Sequence, residues 1–362
     1  MRILFIGRYN ESSILNGPEK VAKRIFNECS ASFETCFVTY FFDGKKYGIF
    51  KKLFGSEIIS LSNDQKVKRL GILNILIFLF RYKPDIIHVI TFERFAVVAL
   101  FYKIFSHTKL FYTVHGIAVH ENSQNKNATA FTKWKDKYCE SKYLSHSDKL
   151  IFLSKNSIEL TKKYYRLDKN KIVIIPNGID SVFHDISRHK KHDENLYLKC
   201  VFIGDIDSSY KGYLFLTDAL RSISFKMELY IISDTQNHET ENSENINFVF
   251  KDRMNADDLA KFYIDKDIFI SASKYEQFSI AAVEAMAAGL VPAVTCETGM
   301  SGYIEDGRNG FTFKYGQKEK LTKILTILNS DRSKLKHVSV EAKNIFNRLN
   351  WPQVFERYKS LY

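Results

Sequence analysis

The chain has 362 residues, enough for two domains of ordinary size, and 26% of them are charged. Its formal charge of +12 is lopsided: residues 1–180 carry 29 Lys and Arg against 16 Asp and Glu, and residues 181–362 carry 24 against 25. The longest apolar run, Ile72–Phe80, is far short of the roughly 20 residues of a membrane span, and the five cysteines, with no C-x-x-C or metal spacing, read as reduced, mostly buried thiols of a cytosolic protein.

Strand-like runs alternate with helical patterns along the whole chain. The first series is 2–7, 35–41, 57–62, 85–90, 109–114, 149–154 and 171–176; the second is 199–204, 227–233, 246–250, 267–272 and 292–295. They are near-continuous apolar runs, which is how strands covered on both faces by helices read. Helices are expected at 64–82, 93–106, 155–166, 212–222, 255–265 and 316–329, with 72–80 as a buried segment. Pro18 and Pro352 open helices, Pro84 precedes a strand, Pro176 ends one and Pro292 starts one. The polar stretch 177–197 separates the series and reads as a hinge between two doubly wound parallel-sheet domains. In such folds ligands bind outside the carboxyl ends of the strands, so two facing domains place the ligand in a cleft.

The segment SASKYEQFSIAAVEAMAAGLVPAVT, from 271, sets Glu276 and Glu284 in an otherwise apolar neighbourhood. Ser279 suits an N-cap, and Gly289 suits the C′ position of the helix that follows. Amides at that helix start attract an anion such as phosphate, and ionised carboxylates accept from hydroxyls. The chemistry expected here is a grip on a diphosphate and a polyol. Tyr210-Lys211-Gly212 follows another strand, and on its own Lys211 reads as a solvated surface lysine. Asp205 and Asp207 spell D-x-D, which can hold a divalent metal. His115-Gly116 follows a strand, and a neutral imidazole there can hydrogen-bond a hydroxyl or stabilise developing charge; His120 lacks that placement. Asn16-Gly17-Pro18 is a helix-opening turn whose glycine also permits close approach of a ligand. The segment 131–149 mixes Lys with Trp and Tyr, fitting a solvated helix face, an anionic membrane surface or nucleic acid.

The segment from 271 resembles the E-x(7)-E signature of family-four retaining glycosyltransferases of the GT-B fold (glycosyl transferases group 1). Ser273, Glu276, Phe278, Ile280, Glu284, Ala285, Met286, Ala287, Ala288, Gly289 and Pro292 match, and Gln277 and Ser279 replace the two usual glycines. Phe202-Ile203-Gly204 to Lys211-Gly212 is similar to the family's F-V-G-R-L-x(n)-K-G segment, with Asp205 in place of the usual Arg. Asn177-Gly178 resembles the family's hinge turn.

The resemblance implies an α/β GT-B architecture of two Rossmann-like domains. These are an acceptor-side domain over 1–180, a donor-binding domain over 181–345 and a terminal helix over 346–362 crossing back to the first. It implies a hexosyltransferase-type enzyme moving a sugar from a nucleotide-sugar with retention, with no obligate metal and no cofactor beyond the donor. UDP is the carrier the family uses most. Glu276 would bond the sugar's hydroxyls, Glu284 the ribose and Lys211 the diphosphate. Gln277, Phe278, Ser279 and Ile280 would face sugar and phosphates, Gly17 would lie by the phosphates and His115 by the transferred sugar. Arg253 could replace the missing Arg. The expected acceptor is a glycan or lipid-linked glycan at the cytoplasmic membrane face, met by the basic first domain. The alternative is an inactive relative acting as a binding or stabilising subunit, motivated by Asp205 and the lost glycines. Charge alone, without a motif, leaves nucleic acid the weaker partner.

Overall fold

The computed structural model describes residues 1–362 except 11, 13–14, 42–46, 61–65, 125–127, 191–196 and 235–243. It divides into two compact units, Met1–Leu153 with Ser157–Ile175 and Phe355–Tyr362, and Ser154–Asn156 with Pro176–Val354.

The first unit is built on an eight-stranded sheet. Its strands are β1 (Arg2–Ile6), β2 (Glu34–Thr39), β3 (Ser56–Ser60), β4 (Lys66–Leu70), β5 (Ile86–Val89), β6 (Lys109–Val114), β7 (Lys149–Phe152) and β8 (Ile172–Ile174). The order is β3-β4-β2-β1-β5-β6-β7-β8. All neighbours pair in parallel except β3 and β4. Ile3, Leu4, Phe5 and Ile6 of β1 are fully buried, as expected of a strand covered on both faces. The chain runs from β1 outward to β2 on one side and returns to β5 on the other, so the order reverses between β1 and β5. His88 of β5 is buried between the Tyr362 hydroxyl, 2.6 Å from Nδ1, and Thr113 Oγ1, 2.7 Å from Nε2, which anchors the chain's last helix to this sheet.

The second unit holds a wholly parallel six-stranded sheet of β9 (Leu198–Ile203), β10 (Met227–Ile232), β11 (Ile246–Lys251), β12 (Ile268–Ser271), β13 (Val291–Thr295) and β14 (Phe311–Phe313). The order is β11-β10-β9-β12-β13-β14, and it reverses between β9 and β12. Leu198, Cys200, Leu229, Ile231, Ile268 and Ile270 of the sheet share one apolar core with Leu216, Leu321 and Leu325 among the helix residues packed on it.

Several expectations are corrected. The helix expected over 64–82 is two elements, β4 and a helix over Ile72–Tyr82, with Gly71 at the junction. Gly71 carries a close approach that the sequence does not announce: a Cβ there would lie 2.5 Å from the Leu53 backbone. The helix is not buried all round, because Ile75 and Leu79 face inward while Ile72, Leu73, Ile77 and Phe80 are exposed. Residues 61–62 and 64–65 of the expected elements lie outside the described residues. The polar stretch 177–197 is not simply a linker: Ser181–Ile186 is helical and Phe183 is fully buried against Tyr263, while 191–196 lies outside the described residues. Of the cysteines, Cys29, Cys36 and Cys200 are buried, Cys139 is half-buried and Cys296 is exposed.

Candidate functional site

Open α/β sheets bind ligands where strand order reverses, outside the carboxyl ends of the strands. Each unit has one such point, and the residues singled out in the sequence gather at both.

In the second unit the point lies between β9 and β12. The loop after β9 brings Lys211 and the loop after β12 brings Glu276, and Lys211 Nζ donates to Glu276 Oε1 at 3.0 Å. Both side chains are only about a fifth exposed, at 23% and 21%. A charge so placed needs a partner, and Ser273 Oγ also donates to Glu276 Oε2 at 3.2 Å. Local backbone explains the placement. Gly212 has φ +78°, a left-handed conformation that favours glycine, and a Cβ there would lie 1.9 Å from the Ala272 carbonyl oxygen. The Lys211 stem packs over Gly204, the first residue after β9. After Glu276, the chain is pinned by backbone bonds from Gly299 to Glu276 and from Met300 to Phe278, and by Ser154 Oγ donating to the Gln277 carbonyl at 2.9 Å.

Gln277, Phe278 and Ser279 are all buried. Neither side-chain polar atom of Gln277 has a protein partner, an uncommon state for a buried carboxamide. Ser279 takes the N-cap position of the helix Ile280–Ala287 but makes no side-chain cap bond, and its φ is +73°. It therefore holds a glycine-like backbone with a Cβ attached. The helix ends as expected, with Gly289 at φ +89° and bonds from Gly289 to Met286 and from Leu290 to Ala285. Glu284, on the second turn of the helix, is buried near Tyr263, whose hydroxyl pKa burial and Glu284 together raise.

The Asp205 side chain accepts from the Asp207 amide at 3.0 Å, closing a local turn. Arg253 pairs with Asp234 at 2.7 Å. Among the described residues, no group of three or more His, Cys, Asp or Glu could hold a metal ion.

In the first unit the point lies between β1 and β5. Loops after β1, β5 and β6 line a cavity of about 250 Å³ there, with Arg8, Glu19, Glu93, His115 and Glu121 among its walls. Gly17 begins the helix Gly17–Ser30 beside this cavity, and its neighbours Asn16 and Pro18 line it; Asn16 Oδ1 caps the helix by accepting from the Glu19 amide. His115 Nε2 is buried without a protein partner, and burial pulls the imidazole pKa down to about 4, so the ring is neutral near pH 7. Glu93 pairs with Arg8 at 3.3 Å, yet burial outweighs that partner and lifts its carboxyl to about 7. Burial also raises Glu121, whose carboxylate packs on the bare Cα of Gly116. Behind them, Glu140 accepts from the Ala118 and Val119 amides and fixes the turn after His115.

The structure thus joins Lys211 with Glu276, sets Gln277, Phe278, Ser279, Ile280 and Glu284 on the adjoining loop and helix, and puts His115 and Gly17 in the other unit. Arg8, Glu93 and Glu121 were not foreseen. Their one available signal was a charge two, four and seven positions beyond the ends of β1, β5 and β6.

Two family models match, "Glycosyltransferase Family 4" over residues 16–183 and "Glycosyl transferases group 1" over 198–331. An uncharacterised 41.2 kDa protein in the cps region of Klebsiella pneumoniae is 25% identical over 264 residues, covering 67% of this chain and 69% of that one. Sucrose-phosphate synthase from Thermosynechococcus elongatus superposes with a TM-score of 0.76 at 15% identity, over 100% of this chain and 98% of that chain. Anabaena Alr3699/HepE, solved in complex with UDP-glucose, does so at 0.72 and 17% identity, over 100% and 99%. At these identities the two structures establish a common fold.

Proposed function

The chain belongs to the family 4, group 1 glycosyltransferases of the GT-B fold, and from that premise we infer that it moves a sugar from a UDP-sugar to a glycan or lipid-linked glycan, with retention and without a metal. The observation carrying this reading is the Lys211–Glu276 pair at the strand-order reversal of the second sheet. Each member keeps the other's charge satisfied, and each has a counterpart in a nucleotide-sugar: diphosphate oxygens for the Lys211 ammonium, sugar hydroxyls for the Glu276 carboxylate. The adjoining start of the helix Ile280–Ala287, with Gln277, Phe278 and Ser279, supplies amides for the phosphates, and Glu284 takes the ribose. The Anabaena relative solved with UDP-glucose supports UDP as carrier.

In the proposed reaction the bond from the anomeric carbon to the diphosphate breaks. A bond to the acceptor oxygen forms on the same face, and the acceptor's proton passes to the departing diphosphate. Lys211 and the helix amides stabilise that leaving group. In the first unit, burial keeps the His115 imidazole neutral, so it can hydrogen-bond a hydroxyl without adding charge. Asp205 favours a second reading, a relative that binds but does not turn over, because it puts an anion where the family's cation stands.

The test follows nucleoside diphosphate release from UDP-glucose, UDP-galactose, GDP-mannose and ADP-glucose in EDTA, with product configuration read by NMR. The expected result is consumption of a UDP-sugar with retention, lost in Lys211→Ala and Glu276→Gln. Inversion, or dependence on a divalent ion, contradicts the mechanism, and donor binding without turnover selects the second reading.

A further inference from the structure

The first unit carries a layer of helices that covers one face of its sheet. Crossovers between parallel strands are right-handed. The connections β4 to β5, β5 to β6 and β6 to β7 all step in the same direction along the sheet, so their helices, Ile72–Tyr82, Val97–Ile104 and Ala130–His146, lie on the same face. They pack side by side in that order, and the short helix Ile49–Phe54 packs against the first of them, held by Asn74 Nδ2 donating to the Phe54 carbonyl at 2.6 Å.

The outer side of this layer is apolar. Phe50, Ile77, Ile104, Phe105, Phe131 and Trp134 are between 47% and 74% exposed on it, and Phe54, Phe80, Phe101 and Tyr138 extend the patch. The rings form runs along the helices: Phe50 on Phe54, Phe101 on Phe105, and Phe131 on Trp134 on Tyr138, with centroids 5.1 to 6.1 Å apart. The exposed charge on the helices themselves has one sign. The only acidic residues in these four helices, Asp136 and Glu140, are both buried, Asp136 against Arg94 and Glu140 against backbone amides. Lys51 and Lys103 pair with Glu57 and Asp148 beside the layer; Lys52, Arg81, Lys133, Lys135, Lys137 and Lys142 remain, and Lys135 and Lys142 lie over the Phe131 and Tyr138 rings at 4.1 and 5.3 Å. A soluble face usually mixes both signs and scatters its large apolar groups. This one combines exposed stacked aromatic rings with cations, the pairing that suits an anionic membrane interface.

We propose that this helical layer is a docking surface for an anionic lipid bilayer, with Phe131, Trp134 and Tyr138 entering the interface and Lys133 and Lys137 binding headgroup phosphates. It deepens the reading of the acceptor as lipid-linked. It also stands apart from that reading in its test, which uses neither donor nor acceptor.

The chain's two tryptophans make the test direct, since Trp134 is 61% exposed and Trp351 is 2% exposed. The full-length protein is mixed with phosphatidylcholine vesicles, with and without phosphatidylglycerol, and followed by flotation and by tryptophan emission with brominated lipid as quencher. Expected are flotation only with the anionic vesicles, a blue shift and quenching of Trp134, and loss of that quenching in Trp134→Phe. Lys133→Glu with Lys137→Glu should lower the floated fraction several-fold. The same charge change at the exposed Lys323 and Lys336 of the second unit should leave it unaltered. Absence of flotation, flotation without quenching, equal loss in both charge variants, or a stable dimer that shields Trp134 before lipid is added would each overturn the proposal.

Discussion

Ser279 offers the sharpest test of the local physics. It holds φ +73° and ψ 81°, the left-handed region that favours glycine, at a position where the E-x(7)-E signature this segment resembles has glycine. An L-residue in the left-handed region costs roughly 1–2 kcal/mol. Replacing it by glycine removes that strain but frees the unfolded chain, at a cost of roughly 0.4–1 kcal/mol. The Ser279 hydroxyl makes no helix-cap bond whose loss would offset the gain. Ser279→Gly should therefore stabilise the second unit by about 0.5–1 kcal/mol. For a domain of this size that is a rise in Tm of about 1–4 °C. Differential scanning calorimetry with chemical denaturation as a cross-check reads it. Nucleotide binding should be kept, because the backbone that presents the amides is unchanged. A fall in Tm would refute the argument, showing that the hydroxyl or Cβ contributes more than the strain removes.

Other consequences are open to measurement. Gly212→Ala forces a Cβ to 1.9 Å from the Ala272 carbonyl oxygen at φ +78°. It should cost more than the roughly 1–2 kcal/mol of left-handed strain alone and abolish nucleotide binding by displacing Lys211, checked by urea unfolding and isothermal titration. Lys211→Met should destabilise by about 1–3 kcal/mol, because it strands a mostly buried Glu276 carboxylate, and the double variant with Glu276→Gln should recover most of that loss. A double-mutant cycle in urea decides, and equal losses in single and double variants would contradict the pairing. His88, buried and beside His115, has its pKa pulled down to about 3. A folded pKa below the unfolded one gives stability that is complete above the unfolded value of 6.5 and is lost as pH falls toward the folded one. His88→Gln should therefore lose less stability than the native chain between about pH 6.5 and about pH 5, by about 2 kcal/mol. Glu93, raised to about 7, acts in the opposite sense in both proteins and so cancels in the comparison.

Much of the fold could be read because both sheets are covered on both faces. The runs at β1, β6, β9 and β10 are apolar almost throughout, and no helix period fits them. β4 escaped because three of its five residues are Lys or Arg and only its pairing with β2 and β3 makes it a strand. β14 escaped because three residues carry no period. The run Ile72–Phe80 was misjudged as buried, since apolar content shows that a helix prefers to leave water but not whether protein or another apolar phase receives it. Within the site, Glu276, Glu284 and Lys211 stood out by motif. Their pairing did not, because Lys211 and Glu276 are 65 positions apart and only the order β9-β12 brings their loops together. Arg8, Glu93 and Glu121 were invisible for the same reason: each is a lone charge, and the cavity they share exists only once β1, β5 and β6 are adjacent.

The central claim is a nucleotide-sugar site at the strand-order reversal of the second sheet, and nucleotide binding tests it most directly. The measurement is a thermal-shift panel with UDP, GDP, ADP and CMP, each with and without EDTA, on the native chain and on Glu284→Ala. A ligand at 100 times its Kd adds about 2.7 kcal/mol of stability, well within reach of the method. The account predicts a shift with UDP that survives EDTA and shrinks in Glu284→Ala. No shift with any of the four nucleotides would contradict it.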